Sequence, residues 1–138
     1  MKMMKTRNIG WGISSEKADE GDKKSPFSGA VRVHGRTFIG VVIAARMQKT
    51  ATVEWIRTVR IPKYERYMKK RTKVKAHNPD SIRAEEGDVV RIIETRPLSK
   101  TKNFVIVEKM GKQKEYAQRK EALTESKAGR AEEENESD

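Results

Sequence analysis

The sequence predicts an all-β fold in which five short strands close into a small barrel. Five runs rich in β-branched and aromatic side chains follow one another between residues 36 and 110. Clusters of Asn, Pro, Asp and Gly that favour turns separate the third run from the fourth. Five strands of this length would leave two open sheet edges that promote aggregation, and closure into a barrel removes both edges.

The first two strands are predicted over residues 37–47 and 50–61. Apolar and polar side chains alternate in the second run, which is typical of a strand with one buried face. Because only Gln48, Lys49 and Thr50 break the pattern between the two runs, we expect an antiparallel hairpin. Pro62 ends the second strand, since proline lacks the amide hydrogen that a strand ladder needs.

Three further strands are predicted over residues 71–77, 89–95 and 103–110. A long excursion therefore separates the second strand from the third. We expect an OB-like barrel. An SH3-like barrel stays open as an alternative, because strand count alone does not distinguish the two.

Two segments flank the predicted barrel at residues 36–110. Residues 1–35 contain several glycines and one proline among mixed charges, which predicts an extended N-terminal segment with one or two short turns. Isolated Ile9, Trp11 and Phe27 indicate that this extension docks on something. Residues 111–138 have a helix-forming composition up to about Leu123 and then an acidic end. They predict a tail that is partly helical or disordered.

The formal net charge of +11 is concentrated in the middle of the chain. Residues 36–120 carry 22 basic and 9 acidic side chains, whereas residues 121–138 carry 2 basic and 7 acidic. Lysine and arginine bind polyanions by displacing counterions from phosphates, so this balance indicates a nucleic-acid partner. No segment approaches the roughly 18 apolar residues that a membrane span needs, so we expect no membrane partner.

The most basic segment spans residues 60–75, where eight of sixteen side chains are basic and one is acidic. Such a density of charge repels itself unless a polyanion relieves it. Pro62 suits a first helical position, so one or two helical turns are expected after it. Helical spacing would give a cationic face with Lys63, Arg66 and Lys70, beside a second face with Tyr64, Tyr67, Met68 and Arg71. The alternative is a solvated excursion whose tyrosines pack on the barrel.

The loop at residues 96–102 joins the last two strands and is a second candidate for RNA binding. Its cations are Arg96, Lys100 and Lys102. Ser99 and Thr101 add hydroxyl groups for phosphate oxygens or a ribose 2′-hydroxyl. An ordinary polar hairpin loop is an equal alternative for this segment.

Exposed aromatic side chains are scarce in this sequence. Trp55, Phe38 and Phe104 stand in apolar runs, so only Tyr64 and Tyr67 are available to nucleobases. Contacts to the phosphates and sugars of a folded RNA are therefore favoured over base stacking on a free strand.

The sequence offers no catalytic or metal-binding set. His34 and His77 are the only histidines, and their spacing matches no zinc motif. The glycine-spaced motifs of phosphate loops and nucleophile elbows are missing as well. Since there is no cysteine, thiolate ligands and disulfides are excluded and a cytoplasmic protein is expected. We therefore expect no enzyme, no cofactor and no metal.

Residues 87–104, GDVVRIIETRPLSKTKNF, resemble the signature of the small-subunit ribosomal protein seventeen family. Residues 40–53 are similar to that family's first hairpin, and residues 63–79 to its long basic loop and third strand. Together the resemblance covers about residues 36–110. Residues 8–13 and 25–42 resemble the extension of archaeal and eukaryotic members. Ser25 stands where eukaryotic members carry a cysteine, which favours an archaeal-type member.

The resemblance implies an OB-type barrel that binds small-subunit ribosomal RNA early in assembly and clamps RNA helices through its loops and extensions. The implied partners are that RNA and neighbouring ribosomal proteins of the small subunit, and no homo-oligomer is expected. Arg7 and Trp11 are added as contacts because the extension is expected to thread into RNA. The contact residues implied within the barrel region are Lys49, Thr50, Lys63, Tyr64, Arg66, Tyr67, Lys69, Lys70, Arg71, Lys73, His77, Arg96, Ser99, Lys100, Thr101 and Lys102.

Two other classes of function are weighed against a structural ribosomal protein. A translation factor or RNA chaperone with the same barrel would associate with ribosomes substoichiometrically and would dissociate at raised salt. An RNA-modifying enzyme would need a nucleophile arrangement or a cofactor motif, and the sequence offers neither.

Overall fold

The computed structural model describes residues 9–10, 12–13, 21–28 and 31–136, with side chains described as far as residue 127. This part of the chain forms five strands, one short 3-10 helix and one α-helix. In chain order the elements are β1 (Val33–Met47), β2 (Thr50–Ile61), the 3-10 helix Pro62–Tyr64, β3 (Arg66–His77), β4 (Asp88–Thr95), β5 (Lys102–Lys112) and α1 (Lys114–Glu136).

The strands close into a barrel in the order β1-β2-β3-β5-β4. β1 pairs with β4 along its first half and with β2 along its second half, which is how one long strand joins both sides of the sheet. β3 and β5 pair in parallel, whereas every other neighbouring pair is antiparallel. This arrangement is OB-like, so the predicted all-β fold class is confirmed and the SH3-like alternative is set aside.

β1 passes from one neighbour to the other at Gly40. A Cβ atom at this position would lie 2.7 Å from the backbone oxygen of Glu54 and 2.7 Å from Cγ1 of Val53. Because any side chain would collide with backbone there, only glycine lets β1 approach β2 this closely.

Two hydrophobic clusters hold the fold together. The barrel interior contains fully buried side chains from every strand, among them Val42, Val53, Ala76, Ile92 and Ile106. The second cluster lies outside this interior, where the N-terminal segment covers β4 and β5. Its members are Ile13, Phe27, Ile93, Val105 and Val107, with Ile9 packed against them. The predicted docking of Ile9 and Phe27 is therefore confirmed, and β4 and the middle of β5 are buried on both faces.

The single helical turn predicted after Pro62 is confirmed, but the expected helical faces and the start of the third strand at residue 71 are wrong. Helical structure is limited to the three residues of the 3-10 helix, and β3 begins at Arg66 instead of residue 71. β2 and β3 pair without interruption from Thr50 opposite His77 to Ile61 opposite Arg66. The expected long excursion is therefore the outer half of a regular β-hairpin, which we call the arm (residues 56–71).

A four-residue turn accounts for the end of the arm. Pro62 starts the 3-10 helix, and Glu65 takes a left-handed backbone conformation with φ of 51°. Loops of this length are most often built around one tight helical turn followed by such a residue. Proline therefore favours the turn itself, and no helix of further length follows.

The C-terminal helix α1 runs to Glu136 and so extends beyond the end expected near Leu123. Its first turns contact the barrel, since the Tyr116 hydroxyl donates to the carbonyl of Ile43 at 2.9 Å. Lys120 binds Glu86 at 2.6 Å, and this contact lowers the pKa of Glu86. Ala, Glu, Lys and Arg favour helix without an apolar face, which explains the greater length. Among the described residues, no helix has the length and apolar character needed to cross a bilayer.

Candidate RNA-binding surface

The arm projects from the barrel and is covered with positive charge. None of its side chains is buried, and only Val59 and Ile61 are as much as half-buried. It carries seven basic side chains and one acidic side chain, Glu65. Since a strand rises by about 3.3 Å per residue, the turn lies on the order of 35 Å from the Thr50 end of the hairpin.

Strand geometry distributes the arm's cations over both of its faces. Directly opposed residues share a face, and side chains alternate along each strand. One face carries Arg57 opposite Lys70, which are like charges placed side by side. The pairing also separates Met68 from Tyr67, which helical spacing had grouped together. Arg66 lies on the same face as Arg57 and Lys70. The opposite face carries Arg60, Lys69 and Arg71 together with Tyr67.

Few carboxylates balance these cations. Glu54, at the base of the arm, lies 4.0 Å from Arg71 and 3.5 Å from Lys73. Within the described part of the chain, no carboxylate comes within 4.0 Å of the other basic side chains of the arm. The directly opposed pair of Arg57 and Lys70 destabilises the hairpin, and the crowded cations around it repel one another. Its cations are instead available to an external polyanion.

The aromatic side chains divide as the sequence predicts. Phe38 and Trp55 stack with ring centroids 4.6 Å apart against the barrel core. Tyr64 and Tyr67 are 65% and 72% exposed, which leaves their rings open to a ligand. Lys63 places its ammonium group 5.4 Å from the centroid of Tyr64. Two exposed rings suffice for isolated contacts and do not form a platform for successive bases.

A second basic region lies at the opposite end of the hairpin, and we call it the lysine end. It consists of the β1–β2 turn (Gln48 and Lys49), Thr50, the β4–β5 loop (residues 96–101) and Lys102. The ammonium group of Lys102 donates to Oγ1 of Thr50 at 3.1 Å and so joins the turn to the loop. Lys49 has a left-handed backbone with φ of 50° and contacts Asp80 at 3.1 Å.

The β4–β5 loop keeps its shape through its own hydrogen bonds. Oγ of Ser99 accepts the amide hydrogens of Thr101 at 3.4 Å and Lys102 at 3.2 Å, and the Leu98 amide donates to the Lys102 carbonyl at 2.8 Å. The side chains of Arg96, Lys100 and Thr101 are exposed. Ser99 therefore holds the shape of the loop through its hydroxyl group. Arg96, Lys100 and Thr101 remain accessible to a ligand.

His77 does not lie on the surface. It is 1% exposed, and its Nε2 is 2.7 Å from Oδ2 of Asp22 in the N-terminal segment. Burial acts to raise the pKa of Asp22. The hydrogen bonds from His77 and the Lys24 amide, with the charges of His77 and Lys49, outweigh it and lower that pKa below its ordinary value. Because an ionised carboxylate only accepts, Nε2 is the donor in this bond.

The predicted site residues therefore form two groups instead of one rim. The arm and its base bring together Lys63, Tyr64, Arg66, Tyr67, Lys69, Lys70, Arg71 and Lys73, and the lysine end brings together Lys49, Thr50, Arg96, Ser99, Lys100, Thr101 and Lys102. Arg7 and Trp11 lie outside the described residues. Sequence reasoning missed Arg57, which only the hairpin register reveals, and Lys24, whose place depends on how the N-terminal segment docks.

Chemistry other than binding finds no support in the described residues. His34 is exposed and His77 is buried against a carboxylate, so the two histidines belong to different environments. In the part of the chain that the structure describes, no three His, Cys, Asp or Glu side chains gather to hold a metal ion. The chemical capacity of this surface is the binding of anions by ammonium and guanidinium groups.

Comparison with known proteins gives a consistent match. The family model for ribosomal protein S17 matches residues 40–108. The small ribosomal subunit protein uS17 of Methanocaldococcus jannaschii is 45% identical over 109 residues, which cover 79% of this chain and 93% of that protein. The proteins of the same name from Methanopyrus kandleri and Archaeoglobus fulgidus are 47% identical over 104 residues and 46% identical over 105 residues. These matches cover 74% and 76% of this chain, and 86% and 94% of the relatives. The chain therefore belongs to the ribosomal protein S17 family and is an archaeal-type member of it.

Proposed function

We propose that this protein binds small-subunit ribosomal RNA through the arm and the lysine end and stabilises packed RNA helices while the subunit assembles. As a member of its family the chain is a structural constituent of the small ribosomal subunit in the cytoplasm, and it is not an enzyme. Beyond that family role, we propose the specific RNA contacts and the function in assembly.

The observation that carries the proposal is the unbalanced charge of the arm. Its seven basic side chains face one carboxylate within the arm, and they are exposed on both faces of a projecting hairpin. Their mutual repulsion is relieved when phosphates replace water around them, and the released counterions add a favourable entropy. This charge distribution therefore destabilises the free arm and favours the binding of a polyanion.

The separation of the two basic regions supports contact with more than one RNA segment. The arm's turn lies on the order of 35 Å from the lysine end, because eleven residues of extended strand separate them. A rigid barrel between two cationic regions brings two negatively charged segments near each other while neutralising both. This supports the proposed role in holding RNA helices together.

The proposed contacts are mainly to phosphates and riboses. Lysine and arginine side chains dominate both regions, whereas exposed rings are limited to Tyr64 and Tyr67 among the described residues. Folded RNA presents phosphates and 2′-hydroxyl groups on its surface and hides most base edges. His77 is left out of the proposed contacts because its ring is buried against Asp22. Arg7 and Trp11 remain proposed contacts on the basis of the family resemblance alone.

The test is a salt titration of RNA affinity with a charge-matched control. Replacing Lys69, Lys70 and Arg71 by Ala should reduce the slope of log affinity against log salt by about two to three phosphate contacts. The control replaces Lys112, Lys114 and Arg119 by Ala, which removes the same charge on the side of the barrel that carries α1. Equal slopes for the two triple variants would show that net charge alone, and not the arm, accounts for binding.

Partners other than RNA follow from the same proposal. Neighbouring proteins of the small subunit are expected to contact the surfaces that RNA leaves free, and the isolated chain is expected to be monomeric. Sedimentation of cell extracts should place the protein in the small subunit at about one copy per particle. A substoichiometric amount that is removed by moderate salt would instead indicate a transiently bound factor.

A further inference from the structure

A cavity of about 410 Å³ lies where the N-terminal segment meets the lysine end. Residues 21–24, the β1–β2 turn, the end of β3 and the start of β5 form its walls. This concave surface is large enough to admit a phosphate group with its ester oxygens. Four segments that are distant in sequence thus share one concave surface.

The walls of this cavity are strongly cationic. Four lysines line it, namely Lys23, Lys24, Lys49 and Lys102, against the single carboxylate of Asp22. Lys49 is engaged by Asp80 at 3.1 Å and by Asp22 at 3.8 Å. For Lys23, Lys24 and Lys102, no carboxylate lies within 4.0 Å among the residues that the structure describes. Three ammonium groups therefore share the cavity without a carboxylate of the described residues in direct contact.

Lys102 is the most constrained of the three. Its side chain is partly buried, and of its three donor hydrogens one is used by Oγ1 of Thr50. Burial, followed by the positive charge of Lys24, lowers the pKa of the Lys102 ammonium group, and the negative charge of Asp22 opposes this shift without cancelling it. An ammonium group that has lost solvent and faces a like charge is stabilised when an anion enters beside it.

Asp22 fills that role only in part, because its charge acts on Lys102 but does not offset burial and the charge of Lys24. Its side chain is 6% exposed, and both of its oxygens already accept hydrogen bonds or ion pairs. Oδ1 accepts the Lys24 amide at 3.0 Å, while Oδ2 is 2.7 Å from His77 and 3.8 Å from Lys49. Asp22 therefore holds residues 21–24 in place and leaves the lysine side chains to bind a ligand.

We infer that this cavity binds one phosphate group of the RNA backbone, held by Lys102, Lys24 and Lys23. The phosphate would contact β5 and the N-terminal segment at once, so RNA binding and docking of that segment reinforce each other. This inference rests on the proposed function and deepens it, because it assigns one phosphate contact to a defined set of side chains. A phosphate oxyanion is the chemistry recognised, and it can come from RNA or from free inorganic phosphate.

The first experiment measures RNA affinity against salt for the full chain and for two single variants. Lys102→Met removes the charge from the cavity and keeps the length of the side chain. Lys112→Met makes the same change at the other end of β5, outside the cavity and outside the proposed RNA contacts. We expect Lys102→Met to lower the slope by about one phosphate contact and Lys112→Met to leave it unchanged.

The second experiment identifies the source of the phosphate. Lysine side chains labelled at Cε are followed by NMR while inorganic phosphate, or sodium chloride at equal ionic strength, is added to the full chain. A saturable shift of Lys102 with phosphate and not with sodium chloride supports the cavity as a phosphate site, and the accompanying shifts of Lys23 and Lys24 should be lost in Lys102→Met. Addition of RNA should raise the pKa of Lys102 and should slow amide exchange at Lys24 in the unmodified chain.

The outcomes separate the inference from the proposed function. If Lys102→Met and Lys112→Met have the same salt slope while the arm variant still loses contacts, the inference is overturned and the proposed function stands. If Lys102 responds to inorganic phosphate but its replacement leaves the RNA slope unchanged, the assignment to RNA is overturned. If the arm variant also has no effect, the proposed function fails as well.

Discussion

Replacing Asp22 by Asn should loosen the N-terminal segment from the barrel. Asn has nearly the same size and shape, so the change removes the charge without opening a cavity. The side chain lies 2.7 Å from Nε2 of His77, and both partners are almost fully buried, with side-chain exposures of 6% and 1%. Water therefore cannot easily replace the lost interaction.

The expected cost follows from the kind of hydrogen bond that is lost. A hydrogen bond to a charged group contributes about 1.5–3 kcal/mol, and a buried partner left without one adds to the penalty. Nδ1 of His77 has no partner in the described part of the chain, so the ring has no second hydrogen bond to fall back on. We expect Asp22→Asn to lower the free energy of unfolding by about 2–3 kcal/mol and the Tm by about 5–12 °C.

The effect should depend on pH in a defined direction. The pKa of Asp22 is lowered in the folded chain from its ordinary value of 3.8. A carboxylate with a depressed folded pKa stabilises the fold above its unfolded pKa, and that stabilisation is lost as pH falls through the folded value. The difference in stability between the two chains should therefore be full at neutral pH and should shrink below about pH 4.

The assay is urea denaturation of both chains, followed by the combined fluorescence of Trp11 and Trp55 and by circular dichroism. Asp80→Asn is the matched control, because Asp80 pairs with the same Lys49 at 3.1 Å but is 50% exposed. Exposed pairs contribute about 0–1 kcal/mol. If Asp22→Asn costs no more than Asp80→Asn, the buried pair with His77 does not hold the segment.

Two further predictions test the barrel and the helix. Gly40→Ala places a Cβ 2.7 Å from the backbone oxygen of Glu54 and should destabilise the barrel by about 1–3 kcal/mol, measured as the shift of the urea midpoint. Tyr116→Phe removes the 2.9 Å hydrogen bond to the Ile43 carbonyl and should cost about 0.5–1.5 kcal/mol. Amide exchange should then rise within α1 and not in the strands; a uniform rise would contradict local docking of the helix.

The sequence predicted the barrel strands because burial imposes a pattern on them. β2 alternates Ala51 and Val53 with polar residues, and Val90, Ile92 and Ile93 of β4 are buried because the two hydrophobic clusters cover both of its faces. Such runs are visible without coordinates. The start of β1 at Val33 was not, since His34, Gly35 and Arg36 interrupt the pattern there.

The arm was missed for the opposite physical reason. Neither of its faces is buried, so no apolar alternation marks the strand, and lysine, arginine and methionine favour helix as readily. What decides its structure is the register that β2 and β3 already share at the barrel, from His77 opposite Thr50 outwards. That information is tertiary. The shared register extends both strands through residues whose intrinsic propensities do not favour a strand.

The candidate surface was predicted in composition and not in arrangement. The count of charged residues located the basic segments. Neither the predicted helical turns nor the alternative of a solvated excursion included a regular hairpin. The bond between Asp22 and His77 joins residues 55 positions apart, and no local pattern indicates it. Burial of His77 removes it from the surface, and the same contact brings Lys24 to the cavity beside Lys102. Long-range packing determined both results.

The unpaired backbone of the arm has a consequence for the solubility of the free protein. β1 pairs with β2 no further out than Glu54, and β5 pairs with β3 only from Lys75 to His77. Beyond those points the outer edge of each strand has no strand partner among the described residues, and such an edge is a template for strand addition between molecules. Mutual repulsion between lysine-rich arms prevents that association. Neutralising the arm should therefore weaken RNA binding and also promote aggregation of newly made chains before they reach a ribosome.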